Sequence, residues 1–194
     1  GQEQKIPFKN HIIDREQSDR FVSLDGIWKI RAYQKIQDVD LNDVPDREIP
    51  VPSCVQLHGY DQIQYINSRY PFPFDPPFVP EENPTFHYRR SFDWETADEK
   101  CYLVFEGVDS AFYVFVNGKE VGFGQISHAM NEFDITDYVC CGRNVLDVVV
   151  LKWSAGSYLE CQDKFRFTGI FRSVYLLRRP REHITDFKIA ADYD

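Results

Sequence analysis

Stretches in which apolar and polar side chains alternate every second residue recur down this chain, and stretches with helical spacing are nearly absent. Segments of strand character lie at 26–33, 86–94, 101–107, 112–116, 119–125, 144–153, 170–178 and 184–191. In the second of these, Phe86, Tyr88, Arg90, Phe92 and Trp94 fall on one side and His87, Arg89, Ser91 and Asp93 on the other, as in a strand with one buried face. The adjacent Arg89 and Arg90 therefore point to opposite faces, and an acid such as Glu106 is expected across the sheet from one of them. Asn117-Gly118 tolerates positive φ at both centres of a type I′ turn, so the segments either side of it read as a hairpin. Val148 to Leu151 is a continuous apolar run, expected of a strand covered on both faces or central in its sheet. Seven or eight strands with no helices between them predict an all-β fold, an antiparallel β-sandwich.

Two long excursions interrupt the strands and suit a jelly-roll topology, whose connections cross from sheet to sheet. Residues 50–85 contain Pro50, Pro52, Pro71, Pro73, Pro76, Pro77, Pro80 and Pro84, which largely block regular ladders and helices. Tyr60, Tyr65, Tyr70, Phe72, Phe74 and Phe78 give the same stretch apolar area to pack, which a solvated linker lacks. Residues 154–169 form the second excursion and concentrate polar groups between two strong strands. Long ordered loops in a compact domain carry function or cover a core.

A chain of 22.9 kDa buries about 70% of its unfolded surface, enough for one core. With 22 basic and 31 acidic residues the net charge is −9, which argues against nucleic acid or anionic membrane as partner. There is no apolar run of about 18 residues, and residues 1–20 are too polar for a signal peptide, so a soluble protein of open compartment is expected. Five cysteines, Cys54, Cys101, Cys140, Cys141 and Cys161, show no CxxC spacing and read as reduced thiols.

No self-sufficient active site is legible. A G-x-S-x-G elbow, a P-loop and a G-x-G-x-x-G turn are all missing, and 31 acids offer carboxylate pairs without selecting one. The polar groups of the two excursions remain. Asn67 has the acceptor and two donors needed to bridge adjacent sugar hydroxyls, or it caps a loop. Asp163, followed by Phe165 and Phe167, could accept hydroxyl protons while the rings cover a pyranose, could hold a hard cation, or could pair with Lys164 or Arg166. His58 reads as hydrogen-bonded packing before it reads as a proton-transfer group.

The segments VPSCVQLHGYD, QYINSRYPF, PPFVPEENPTFHYRRSF, GVDSAFYVFVNGKEVGFGQIS, WSAGSYLECQDKFRFTGIFRSVYLL and ITDFKIA, in this order, resemble bacterial β-galactosidases of glycoside hydrolase family 2. The resemblance runs from about Leu24 onward and is to the family's amino-terminal sugar-binding domain, a jelly-roll (galactose-binding-domain-like) β-sandwich. It implies an N-terminal arm over 1–23, the sugar-binding domain over 24–181, and a linker with the start of an immunoglobulin-like domain over 182–194.

By the same resemblance, Asn67 and Asp163 are substrate-binding, and Asp163 takes part in a sodium site shared with the barrel. The two catalytic glutamates belong to a TIM-barrel domain further along the polypeptide, so no catalytic residue is expected in this chain. The parent enzyme is expected to be a retaining β-galactosidase using sodium and magnesium, a homo-oligomer whose barrel and immunoglobulin-like domains are this domain's partners. Ala155, Cys161, Lys164-Phe165, Val55 and His128-Ala129-Met130 depart from the family pattern, and the lost acids weaken the case for an accessory magnesium site. A free-standing carbohydrate-binding module, a purely structural role, and the same domain from a β-glucuronidase or β-mannosidase are the alternatives; the WSxGSYLExQD run favours β-galactosidase.

Overall fold

The computed structural model describes residues 16–67, 69–95, 98–160 and 163–192. Most of the expected N-terminal arm, and Cys161, lie outside them. The strands are β1 Phe21–Ser23, β2 Gly26–Tyr33, β3 Arg47–Val51, β4 Gln64–Ile66, β5 Thr85–Trp94, β6 Glu99–Phe105, β7 Val108–Asp109, β8 Ala111–Val116, β9 Lys119–Gln125, β10 Asn131–Asp134, β11 Gly142–Leu151, β12 Lys164–Arg166, β13 Gly169–Ile170 and β14 Val174–Pro180. Six of them form one sheet in the order β3-β2-β5-β11-β8-β9, and four form a second in the order β1-β14-β6-β10. Pairing is antiparallel, and along the chain the path changes from one of these two sheets to the other after β1, β5, β6, β9, β10 and β11.

The predicted alternation in β5 holds over Ser91–Trp94, while at its start the opposite face is buried too, with Thr85 and His87 fully covered. Phe86, Tyr88, Phe92 and Trp94 are buried in the common core with Trp28 and Ile30 of β2, Val148 and Val150 of β11, and Leu103, Phe105, Val174 and Leu176 of the smaller sheet. Phe105 and Phe112 meet across the two sheets with ring centroids 4.9 Å apart, so one layer of side chains joins them. The hairpin turns at Asn117 and Gly118 with φ of 52° and 76°, as a type I′ turn requires.

Strand β11 is both central and covered on its outer face. There Val149 is buried beside Ile36, Val39 and Leu41 of the β2–β3 connection. On the same face Asp147 is 1% exposed and accepts from Arg89 Nε at 2.5 Å and lies 2.6 Å from His87 Nε2. The acid opposite Arg89 is thus Asp147, its direct cross-strand partner, and not Glu106. Arg90, on the other face, lies over Trp28 and reaches the Ile27 carbonyl.

Four departures from the sequence reading have physical causes. The segment 170–178 is broken between β13 and β14, which pair with different strands, β7 and β6. Residues 184–192 form no strand, and Ile184, Phe187 and Ile189 stay exposed, because no strand of the described residues offers them a ladder. The last three residues of the expected arm form β1, which adds to the edge of β14. The proline-rich stretch also contributes the end of β3 and all of β4; Pro50 is tolerated because β3 is an edge strand.

Gly169 fixes where the two excursions meet the sandwich. Its φ is +127°, and a Cβ there would lie 2.8 Å from the Tyr88 hydroxyl and 3.0 Å from the Ser53 carbonyl oxygen. On either side of it, Ser53 N donates to Ile170 O at 2.8 Å and Val55 N to Thr168 O at 2.9 Å. Gly169→Ala is expected to cost about 1–3 kcal/mol, through backbone strain and overpacking together. A lower urea midpoint at unchanged slope is the predicted reading.

Candidate functional site

Asn67 and Asp163 are far apart in sequence, and a two-stranded ribbon brings them together. β4 pairs with β12 antiparallel, in the register Ile66↔Lys164, Tyr65↔Phe165 and Gln64↔Arg166. Asn67 follows β4 and Asp163 precedes β12, so both lie at one end of the ribbon. The two-residue period of a strand places Tyr65 and Phe165 on one face, and Lys164 and Arg166 on the other.

The first face is open. Tyr65 and Phe165 are 53% and 56% exposed, with ring centroids 5.4 Å apart, and Phe165 also meets Phe167 at 6.1 Å. The Tyr65 hydroxyl donates to Asp163 Oδ1, and Tyr65 also interacts with the Asn67 side chain. The bond to Asp163 is the main cause holding the Tyr65 phenol above its ordinary pKa, because ionisation would lose it.

The second face anchors. Lys164 Nζ stands 3.6 Å from Asp109 Oδ2 of β7, and Arg166, 7% exposed, donates from Nη1 to the Glu160 carbonyl at 3.1 Å. Glu160, in a one-turn helix at Ser157–Glu160, accepts from Ser127 N at 2.8 Å and from Ser127 Oγ at 2.7 Å. Lys164 and Arg166 are therefore committed inward, to Asp109 and to the Glu160 carbonyl. Among the described bonds and ion pairs, Asp163 is bound by the neutral Tyr65 hydroxyl and not by either cation.

Both excursions are locked to the sandwich. Tyr158 packs against Tyr70, Phe72 and Phe74 with centroids 5.3–5.6 Å apart. Its hydroxyl donates to the Phe78 carbonyl at 2.5 Å and accepts from Asp75 N at 3.2 Å. Lys152, 5% exposed at the end of β11, pairs with Asp61 at 2.5 Å, and Gln56 bonds both Asp61 and Thr168. His58 bonds the Ser53 hydroxyl at 2.6 Å, a packing role like the one expected for it. His128, one of the positions that departs from the family pattern, stacks on Phe171 at 5.2 Å, and burial holds its pKa down.

Sequence reasoning missed Tyr65 and Asp109 as parts of this arrangement. The signal for Tyr65 was its position two residues before Asn67, which on a strand means the same face. For Asp109 there was none, since its partners come from β12 and the 126–130 loop.

A family model described as "Glycosyl hydrolases family 2, sugar binding domain" matches residues 21–180. The chain belongs to that family. It is 49% identical over 183 residues to the β-galactosidase of Actinobacillus pleuropneumoniae and 45% identical over 183 residues to that of Staphylococcus xylosus. These alignments cover 93% and 92% of the chain but only 18% of each relative. Among solved structures, Bacteroides uniformis β-glucuronidase 2 covalently bound to cyclophellitol-6-carboxylate aziridine aligns with a TM-score of 0.62 at 19% identity. That alignment covers 82% of this chain and 18% of that one. An uncultured Clostridium sp. β-glucuronidase aligns with a TM-score of 0.56 at 19% identity, over 83% of this chain and 29% of that one. At these identities the structures show the shared sandwich alone.

The sodium expected for the family fits Asp163 as one ligand: a carboxylate on an open face whose Oδ1 takes Tyr65 and whose other oxygen can meet a hard cation. Among the described residues no three His, Cys, Asp or Glu side chains gather to hold a cation, and Ala155 has no ligating atom in its side chain. No helix among the described residues is long and apolar enough to cross a membrane.

Burial pushes the Asp109 carboxyl up to about 6 from an ordinary 3.8, with Lys164 opposing and Glu160 reinforcing the shift. The folded chain therefore holds a proton that the unfolded chain has released between about pH 4 and pH 6. This group's contribution to stability is most favourable below pH 4, falls as pH rises to about 6, and stays low above it. The stability of Asp109→Asn relative to the parent should accordingly rise by about 1–3 kcal/mol between pH 4.5 and pH 7.5, as measured by urea unfolding at both values.

Proposed function

We propose that this chain is the non-catalytic sugar-binding domain of a retaining β-galactosidase, and that it contributes Asn67 and Asp163 to a galactose pocket completed by a barrel domain. The observation that carries this reading is the β4–β12 ribbon, which brings an amide and a carboxylate to one end and two aromatic rings onto one open face. Asn67 offers one acceptor and two donor hydrogens to neighbouring hydroxyls, and Asp163 accepts a hydroxyl proton in a charge-assisted hydrogen bond. Tyr65 and Phe165 supply apolar area for a pyranose face. Sodium, bound at Asp163 in the complete enzyme, would supply a fixed positive charge for sugar oxygens.

Retaining hydrolysis needs two carboxyl groups about 5–5.5 Å apart flanking the scissile bond. Asp109 and Glu160, the acids beneath the ribbon, are tied to Lys164 and Ser127 on the anchoring face, away from Asn67 and Asp163. Curated relatives at 41–49% identity named β-galactosidase favour galactosides over the glucuronides of structures named β-glucuronidase at 17–20%.

The isolated chain is expected to hydrolyse no nitrophenyl galactoside above background. Turnover that copurifies with it and disappears in Asp163→Ala would contradict the proposal. In the full-length enzyme, Asp163→Asn keeps size and removes charge. Loss of a hydrogen bond to a charged group is worth about 1.5–3 kcal/mol, so kcat/KM should fall by about ten- to a hundredfold with weaker sodium dependence and an unchanged Tm. A variant that melts well below the parent while its folded fraction keeps normal kinetics would make Asp163 a structural anchor.

A further inference from the structure

We propose that Tyr65 is the positioning residue of this site, orienting the Asp163 carboxylate; the inference rests on the sugar-binding reading above. Its phenol donates to Asp163 Oδ1 across the end of the ribbon. Asp163 and Asn67 stand just outside their strands, where the backbone no longer pairs, so their side chains have rotamers to choose from. Tyr65 sits inside β4, held in register opposite Phe165, and a tyrosine has few torsions to order. The diagonal neighbour two residues along the opposite strand is within reach of a long aromatic side chain, and that neighbour of Tyr65 is Asp163.

The exposed setting sharpens the argument. A surface carboxylate is well solvated and needs no protein donor, while the cations beside it in sequence, Lys164 and Arg166, are turned inward to Asp109 and the Glu160 carbonyl. The bond from Tyr65 brings no countercharge, as a salt bridge would, and engages one oxygen of Asp163. A neutral donor thus orients the acceptor without competing for its charge.

A double-mutant cycle in the full-length galactosidase tests this. Tyr65→Phe keeps the ring against Phe165 and removes only the hydroxyl. It should lower kcat/KM and raise the inhibition constant of galactose by about tenfold each, about 1.4 kcal/mol, with Tm unchanged. In an Asp163→Ala background the same change should have less than a twofold effect on either quantity. Equal effects in both backgrounds would show that Tyr65 acts without Asp163, and no effect in the Asp163 parent would show that it positions nothing; either overturns the proposal. A lowered Tm with normal galactose inhibition in the folded fraction would assign Tyr65 to packing and also overturn it. Asp163→Ala alone reports on the underlying reading: if kcat/KM and galactose inhibition are unaltered in that variant, the sugar-site assignment falls, and the role of Tyr65 falls with it.

Discussion

Everything functional in this chain depends on a three-residue strand pairing that could not survive alone. A two-stranded ribbon is marginal in water even when long, and β4 and β12 contribute three residues each. What holds them is the side of the ribbon turned away from the ligand. Arg166 is buried and bound to the Glu160 carbonyl, Lys164 reaches Asp109, and Glu160 closes on both polar hydrogens of Ser127. Alternation along a strand divides the work. Anchoring residues face in, and recognition residues face out with no need to satisfy buried partners of their own.

The same logic holds the proline-rich excursion. Outside β3 and β4 prolines deny it a ladder, and side chains help set its position: the Tyr158 ring and hydroxyl, and the Lys152–Asp61 pair with Gln56. Buried pairs of this kind add little net stability over apolar residues of the same volume, but removing one partner strands a charge and costs about 3–5 kcal/mol. They therefore specify one placement of the loop more than they strengthen the fold. The Asp147, His87 and Arg89 group does likewise for the β2–β3 connection, with Arg89 also reaching the Leu41 carbonyl.

Under the proposed function this domain presents half a pocket, and such a domain has a characteristic appearance in isolation. Its recognition face is open, its aromatic rings are partly exposed, and its carboxylates near the site are either engaged in anchoring or left facing outward. The chain spans 18% of the length of the curated relatives it matches.

By itself the sequence determined the architecture and the candidates. Period-two alternation in 86–94, the Asn117-Gly118 turn and the apolar run at 148–151 dictate antiparallel strands because side-chain direction on a strand follows from covalent geometry. Asn67 and Asp163 were legible only through the family resemblance, since an amide and a carboxylate in loops have ordinary uses everywhere. Tertiary structure alone decided that β4 and β12 pair, that Arg89 meets Asp147, that 184–192 finds no ladder, and that Tyr65 bonds Asp163. Each of these joins segments distant in sequence or depends on a partner strand, and local chemistry carries no record of which distant segment will arrive. The burial that raises the Asp109 pKa belongs to the same class, because it comes from chain folded over the carboxyl and not from its neighbours along the backbone.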